Sequence, residues 1–402
     1  MIQRETYLKK IRPFLGVDIV KVLTGIRRCG KTVMLQLIQE ELRRRGVSDA
    51  HILSINFESF PDPSRNDRQS VYSSIRAKAE ETQGKLYLFL DEVQELEGWE
   101  KLVNSCLIDF DIDIYITGSN ATMLSSELAT YLGGRYVEIK IYPFSFAEAL
   151  ESYSQTGRTI DQSEAFKRYL IQGGMPFLYQ HDFDAASWRQ YLSDIFDSII
   201  LKDIARRNSV RDIDQLKRLI LFFIVNIGNT FSATSIVRYL KNEKRSLSTE
   251  TIYNYINYCK EACLLHMVQR EDLIGKKPLS FQEKIYIVDH GIREALFGTN
   301  QSDINQTLEN IVYMELLRKG YEIRVGKIGT AEVDFSAKKG NEKIYVQVAY
   351  VLPDETTIQR EFAPLEAIPD NYLKYVVTMD EIDRSRNGIH HMNIRQFLLS
   401  LE

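Results

Sequence analysis

One octapeptide limits what this chain can fold into more than any other feature. Gly25-Ile26-Arg27-Arg28-Cys29-Gly30-Lys31-Thr32 fits the pattern G-x-x-x-x-G-K-[ST] at every position. It stands between an apolar stretch, Ile19–Thr24, and a segment with helical character, Thr32–Arg45. A strand, a glycine-bearing loop and a helix in that order turn successive backbone N–H groups and the helix amino end toward an anion. The phosphate-binding set is then Gly25, Ile26, Arg27, Arg28, Cys29, Gly30, Lys31, Thr32 and Val33. Lys31 supplies a point charge to the outer phosphates, and the Thr32 hydroxyl is placed to ligate Mg²⁺. The expected ligands are ATP and Mg²⁺.

A second element completes such a site. Leu86-Tyr87-Leu88-Phe89-Leu90 reads as a buried strand and ends in Asp91-Glu92. A carboxylate at the carboxyl end of a parallel strand lands on the same sheet edge as the loop. Asp91 is the second candidate metal residue, and Glu92 the candidate base for the attacking water. The next strand ends in Thr117-Gly118-Ser119-Asn120, where the Asn120 amide is a candidate for contact with the γ-phosphate or the water. Gly133-Gly134-Arg135 puts a guanidinium on a glycine turn, a candidate for charge stabilisation in a neighbouring subunit.

The chain has 402 residues, too many for one ordinary core, so two to three domains are expected. A net charge of −4 argues against a surface built wholly for nucleic acid and leaves room for a local basic patch. Four scattered cysteines (Cys29, Cys106, Cys259 and Cys263) point to a reducing, cytoplasmic setting. No apolar run approaches the roughly 18 residues of a membrane span. Over the first 150 residues short apolar strands alternate with helical stretches, the pattern of a parallel sheet with helices on both faces. From Ser145 to Ala205 the chain reads as helical, broken at Gly173-Gly174-Met175-Pro176.

Residues 206–295 fit a winged helix. Ser232 caps a helix over Ala233–Leu240, the basic turn Lys241–Arg245 follows, and Ser248 caps a second helix. In that second helix Ile252, Tyr255, Ile256, Cys259 and Cys263 share one face, with Tyr253, Asn254, Asn257 and Lys260 opposite. A hairpin over Leu264–Val288 would turn at Gly275-Lys276-Lys277-Pro278. As a DNA reader it would place the second helix in the major groove and Lys276 and Lys277 on phosphate; as a packing module it would do neither. Residues 296–402 have the outline of a PD-(D/E)xK nuclease-like fold: Glu309 on a helix, Asp334 on a strand, then Gln347-Val348-Ala349. An active version needs a lysine at the last of those positions, so the domain is expected to be inactive.

Taken together these residues resemble the AAA-type ATPases of bacteria and archaea, in the subgroup with a G-x-R-R-x-G-K-T loop and a C-terminal domain of unknown function. Leu23–Thr32, Leu90-Asp91-Glu92-Val93-Gln94, Thr117–Ala121, Leu124–Leu128, Gly134-Arg135 and Tyr142-Pro143-Phe144-Ser145-Phe146 carry the likeness. It implies a five-stranded core with the P-loop strand flanked on both sides, Asn120 as a sensor, Arg135 as a candidate arginine finger, and Gly173–Pro176 in a helical lid. The expected architecture is α/β: a P-loop NTPase core over 1–145, a lid over 146–205, a winged helix over 206–295 and a degenerate restriction-endonuclease-like domain over 296–402. The expected activity is Mg²⁺-dependent ATP hydrolysis. Its rivals are an ATP-switched regulator that binds double-stranded DNA, an ATP-gated nuclease, and a scaffold that binds ATP without turnover. A homo-oligomer is the expected setting for Arg135.

Overall fold

The computed structural model describes residues 2–59, 67–119, 132–242, 247–275, 277–298 and 303–401. The chain divides into two units, Met1–Pro143 with Glu261–Cys263, and Phe144–Lys260 with Leu264–Glu402.

The first unit is built on a sheet of β1 (Val20–Thr24), β2 (Ile52–Asn56), β3 (Leu86–Asp91), β4 (Ile112–Gly118) and β5 (Tyr136–Lys140). The strand order is β2-β3-β4-β1-β5, and every pairing is parallel. Helices α1 (Glu5–Ile11), α2 (Lys31–Arg44), α3 (Arg68–Glu81) and α4 (Trp99–Asp109) accompany it. β1 and β4 are buried along their whole length, while the edge strands β2 and β5 are largely half-buried. That is the continuous apolar character a two-sided parallel sheet requires. Val22, Leu88, Leu90, Ile114 and Ile116 pack with Ile75, Trp99 and Val103 in one core cluster. Two charges interrupt the apolar strands, Lys21 in β1 and Asp113 in β4, and they answer each other. Lys21 donates to Asp113 and to the Val17 carbonyl, and Tyr115 OH and Gly16 N–H also donate to Asp113. Neither charge is left unpaired in the interior.

The second unit opens with α5 (Phe146–Gln155), α6 (Gln162–Gln172) and α7 (Ala185–Ser198), followed by a π-helical stretch, Ile199–Arg206. Ser145 and Glu148 form a capping box at the start of α5. The break at Gly173–Pro176 has a steric cause. Gly173 has φ +73°, and a Cβ there would lie 2.1 Å from Asp289 Oδ1; one on Gly174 would lie 2.3 Å from the Phe144 carbonyl oxygen. Next come α8 (Ile213–Val225), α9 (Ala233–Asn242) and α10 (Thr249–Glu261), then β6 (Leu265–Asp272), β7 (Lys277–Ile287) and α11 (His290–Phe297). The chain ends with α12 (Ile304–Arg318), β8 (Glu322–Ile328), β9 (Ala331–Lys339), β10 (Glu342–Val348), α13 (Glu355–Glu366), β11 (Leu373–Thr378), β12 (Ile389–Asn393) and α14 (Ile394–Ser400).

Ser232 and Ser248 sit as expected, accepting from Ser235 N–H at 3.3 Å and Thr251 N–H at 3.0 Å. In α10 Ile252, Tyr255, Ile256 and Cys259 are buried, while Tyr253, Asn254, Asn257 and Lys260 are exposed. Cys263 departs from that face. The helix ends at Glu261, and Cys263 turns left-handed at φ +55°. The hairpin β6–β7 is not an isolated wing. β6 pairs in parallel with β8 (Arg270 opposite Val325), giving one sheet of order β12-β11-β10-β9-β8-β6-β7. This sheet runs across position 295, where the sequence reading divides the chain. Lys277 and Pro278 belong to β7 rather than to its turn, and Lys276 lies outside the described residues. Among the described residues no helix is long and apolar enough to cross a membrane.

Candidate active site

The loop from Gly25 to Gly30 leaves the carboxyl end of β1 and delivers Lys31 as the first residue of α2. Its shape depends on three left-handed or near-left-handed residues, Gly25 (φ +154°), Arg28 (φ +68°) and Gly30 (φ +101°). At Gly25 a Cβ would lie 2.2 Å from the Ile141 carbonyl oxygen, so only glycine passes there. Gly30 caps α2 without a side chain, which keeps that amino end open toward an incoming anion. Ile26 and Cys29 are fully buried and anchor the loop from below.

Lys31 Nζ donates to the carbonyls of Gly25 (3.2 Å) and Ile26 (3.4 Å) and stands 3.3 Å from Glu92 Oε1. Burial disfavours both charged forms. The Glu92 carboxylate outweighs burial at Lys31 and holds the ammonium above its ordinary value. Burial likewise pushes Glu92 up, but Lys31 and then the Gln94 amide prevail and hold its carboxyl below the usual range. Glu92 itself is left-handed (φ +53°), a turn that brings the carboxylate back toward the loop.

Asp91 is held from three elements. Thr32 Oγ1 donates to Asp91 Oδ2 at 2.8 Å, Asn56 Nδ2 to the same oxygen at 2.9 Å, and Thr117 Oγ1 to Oδ1. Thr117 Oγ1 in turn accepts the Glu92 N–H at 2.9 Å. Burial, the largest influence, raises the Asp91 carboxyl above its usual value despite the hydroxyl donors. A hydroxyl and a carboxylate side by side are hard oxygen donors of the kind Mg²⁺ takes, so Thr32 and Asp91 fit a magnesium role. Arg27 reaches Glu58 Oε1 at 3.0 Å, and Glu58 N–H donates to Asn56 Oδ1 at 2.9 Å.

Asn120 lies outside the described residues, which resume at Leu132 after Ser119. Arg135 does not join the site. Tyr136 opposite Val20 marks the amino end of a parallel pair, whereas the loop follows Thr24 at the carboxyl end. Four residue steps along a strand separate those ends by about 13 Å. Arg135 is exposed there, donating to the Leu132 carbonyl and to Asn104 Oδ1 on α4.

Three further residues, given no role by the sequence, shape the site. Asn56 ends β2 beside the strand that ends in Asp91, and a polar residue closing an apolar strand was its signal. Gln94 donates through Nε2 to Glu92 Oε2. Arg4 is almost fully buried, with Nη1 on the Cys29 carbonyl at 3.0 Å and Nη2 on the Tyr142 carbonyl at 2.7 Å. It gave no sequence signal, because both partners are distant in the chain.

The second unit holds a separate polar cluster. Gln347 Nε2 donates to Glu361 Oε2, Gln347 Oε1 accepts from Asp334 N–H, and Asp334 Oδ2 accepts from Val348 N–H. An ammonium from elsewhere in the unit joins these carboxylates. Lys284 of β7 puts Nζ 2.8 Å from Glu309 Oε1, 2.7 Å from Glu332 Oε1 and 3.6 Å from Asp334 Oδ1. Strand order brings a lysine remote in sequence among these carboxylates. Among the described residues no group of His, Cys, Asp and Glu has the arrangement of a metal site.

The all-parallel order with β4 between the P-loop strand and β3, and a helix rising directly from the loop, define the core as an AAA-type P-loop domain. Residues 18–150 match the family model described as an AAA domain, and residues 163–303 match a domain of unknown function (DUF8612). An uncharacterized protein of Haemophilus influenzae is 39% identical over 400 residues, covering 99% of each chain. Uncharacterized protein MJ1544 of Methanocaldococcus jannaschii is 32% identical over 369 residues, 87% of this chain and 79% of its own. The chain belongs to one family with these two proteins. The fold is also similar to that of the Walker-type ATPase PABY2304 of Pyrococcus abyssi. The TM-score is 0.51 at 13% identity, over 73% of this chain and 95% of the other.

Proposed function

We propose that this chain binds ATP with Mg²⁺, hydrolyses it, and passes the nucleotide state to its C-terminal region. The observation that carries the reading is the convergence of Lys31, Thr32, Asp91 and Glu92 at one sheet edge, with Lys31 Nζ 3.3 Å from Glu92 Oε1 and Thr32 Oγ1 2.8 Å from Asp91 Oδ2. Thr32 and Asp91 would hold Mg²⁺, which when bound neutralises phosphate charge. Backbone N–H groups of the loop and Lys31 bind the phosphates. Glu92 takes a proton from the attacking water as the water oxygen bonds to the γ-phosphorus and the bond to the ADP oxygen breaks. Arg135, on the far sheet edge, serves a second copy's site or none.

The test is phosphate release from Mg-ATP together with nucleotide binding. Lys31→Ala should abolish binding; Glu92→Gln should bind and not turn over. Normal turnover by Glu92→Gln removes Glu92 from the role of base. Rate per subunit that climbs with protein concentration, and is lost in Arg135→Ala, supports a finger supplied in trans.

A second reading is a regulator of double-stranded DNA switched by ATP. It is favoured by the exposed face of α10, where Tyr253, Asn254, Asn257 and Lys260 stand away from the buried side. In this reading residues 206–295 serve as a winged helix, and residues 296–402 as a nuclease-like domain without cleavage activity. Duplex binding that weakens steeply with salt and is lost with Asn254→Ala and Asn257→Ala supports it; no shift at low salt ends it.

A further inference from the structure

We propose that Gln94 positions the hydrolytic base and completes the pocket for the attacking water; the proposal rests on the hydrolytic reading above. Gln94 lies in the short 3₁₀ turn Val93–Glu95 that follows directly on the left-handed Glu92. Its amide does two different things. Nε2 donates to Glu92 Oε2, so the carboxylate is gripped at that oxygen by the amide and faces Lys31 through the other. Oε1 is shut off from solvent and has no hydrogen-bond partner among the described residues. It lies against Gly118, where a Cβ would stand 3.0 Å from it, at the end of the strand that also supplies Thr117.

A buried acceptor without a donor destabilises the fold unless a donor arrives at some stage of the protein's work. The attacking water is such a donor. It has two protons, and Glu92 removes only one; the second needs an acceptor on the same side. Gln94 Oε1, tethered through its own Nε2 to the base, meets that need. Nucleotide sharpens the arrangement. Phosphate oxygens compete for Lys31, and when the ammonium turns to them Glu92 keeps the Gln94 amide as its grip. The carboxylate, no longer paired with Lys31, is then free to take the proton while staying in place.

The test compares the full-length wild type with Gln94→Ala and Gln94→Glu for Mg-ATP affinity, kcat, KM and the pH dependence of kcat. Losing the amide donor should lower kcat by roughly 10- to 100-fold, with KM and affinity within about threefold. The acid limb should move to higher pH, because a hydrogen bond to the charged carboxylate is gone. Gln94→Glu keeps size and shape, guards against a folding failure of the alanine variant, and should show the same loss of kcat with ATP binding retained. Gln94→Ala within twofold of wild type, with an unmoved acid limb, overturns the proposal. Equal losses of affinity and kcat in both variants also overturn it, since that is a structural role. A wild-type chain that binds Mg-ATP without turnover sinks the hydrolytic reading and this one together, which separates the two failures.

Discussion

Lys31 and Glu92 form an ion pair across the nucleotide site, Nζ to Oε1 at 3.3 Å, with both side chains nearly buried. The lysine that should meet phosphate is therefore engaged by the residue that should activate water. Binding of ATP must break that pair, so the pair opposes binding. Glu92→Gln removes the charge and should tighten ATP binding about tenfold, ~1.4 kcal/mol, while turnover stops. Equilibrium titration of a fluorescent ATP analogue checks this, and unchanged affinity would show that the pair exerts no hold on Lys31.

Arg4 clamps two carbonyls that flank the site, Cys29 in the loop and Tyr142 just beyond β5, with its guanidinium 4.6 Å from the Tyr7 ring centroid. Arg4→Ala leaves both carbonyls without that donor and should lower unfolding free energy by about 3 kcal/mol. Its mark on function should be a raised KM for ATP, because the loop is less well held. Arg4→Lys, with one compact ammonium in place of the fork, should recover part of each effect. Denaturant titration and steady-state kinetics report the two separately.

What was legible in the sequence was local. The P-loop, its strand and helix, and the Asp91-Glu92 strand end are patterns within about a dozen residues, and neighbouring positions suffice to read them. Serine caps were legible for the same reason. Sites assembled across the fold were not. Arg4 meets carbonyls 25 and 138 positions away, and Lys284 reaches Glu309 only because β7 borders the second sheet beside α12. Gln94 stood inside a motif that carries the family likeness, but its role was not legible there, since it comes from the left-handed turn at Glu92. Arg135 is a different case: parallel strands put residues before β5 on the edge opposite the loop, so its separation from Lys31 follows from the order of elements.

Asp289 and His290 make a pH balance inside the second unit. Asp289 accepts the N–H groups of Gly174 (2.7 Å) and Gly291 (2.9 Å), and His290 Nε2 is 2.7 Å from the Tyr169 carbonyl. Burial lifts the Asp289 carboxyl to about 6 and drops the His290 imidazole to about 4. Between the ordinary carboxyl value and about 6 the folded chain keeps a proton on Asp289 that the unfolded chain has lost, so this group's contribution falls as pH rises. Between about 4 and the ordinary imidazole value the unfolded chain holds the proton on His290, so its contribution grows as pH rises. The two slopes oppose each other over pH 4–6. His290→Gln removes one of them, and its stability relative to wild type should fall by about 1.4 kcal/mol per pH unit across that window. Urea midpoints at pH 4.5, 5.25 and 6 test it; a constant difference would refute it.

Lys284 is the cation at the centre of Glu309, Glu332 and Asp334, and Tyr286 OH also donates to Glu309. Burial works against the ammonium, but the three carboxylates prevail and hold it charged, while burial and Glu309 push Asp334 far above the usual carboxyl range. Lys284→Met removes the positive charge and leaves the acidic groups facing one another, at a cost of about 3–5 kcal/mol near neutral pH. Asp334, already pushed up by burial, should hold its proton more readily still in that variant, so the deficit should shrink as pH falls toward 5. Adding Glu309→Gln should recover part of the loss at pH 7.5 by removing one of the opposed charges. Denaturant titrations at the two pH values decide the matter: a deficit equal at both would mean that Lys284 contributes packing and not charge.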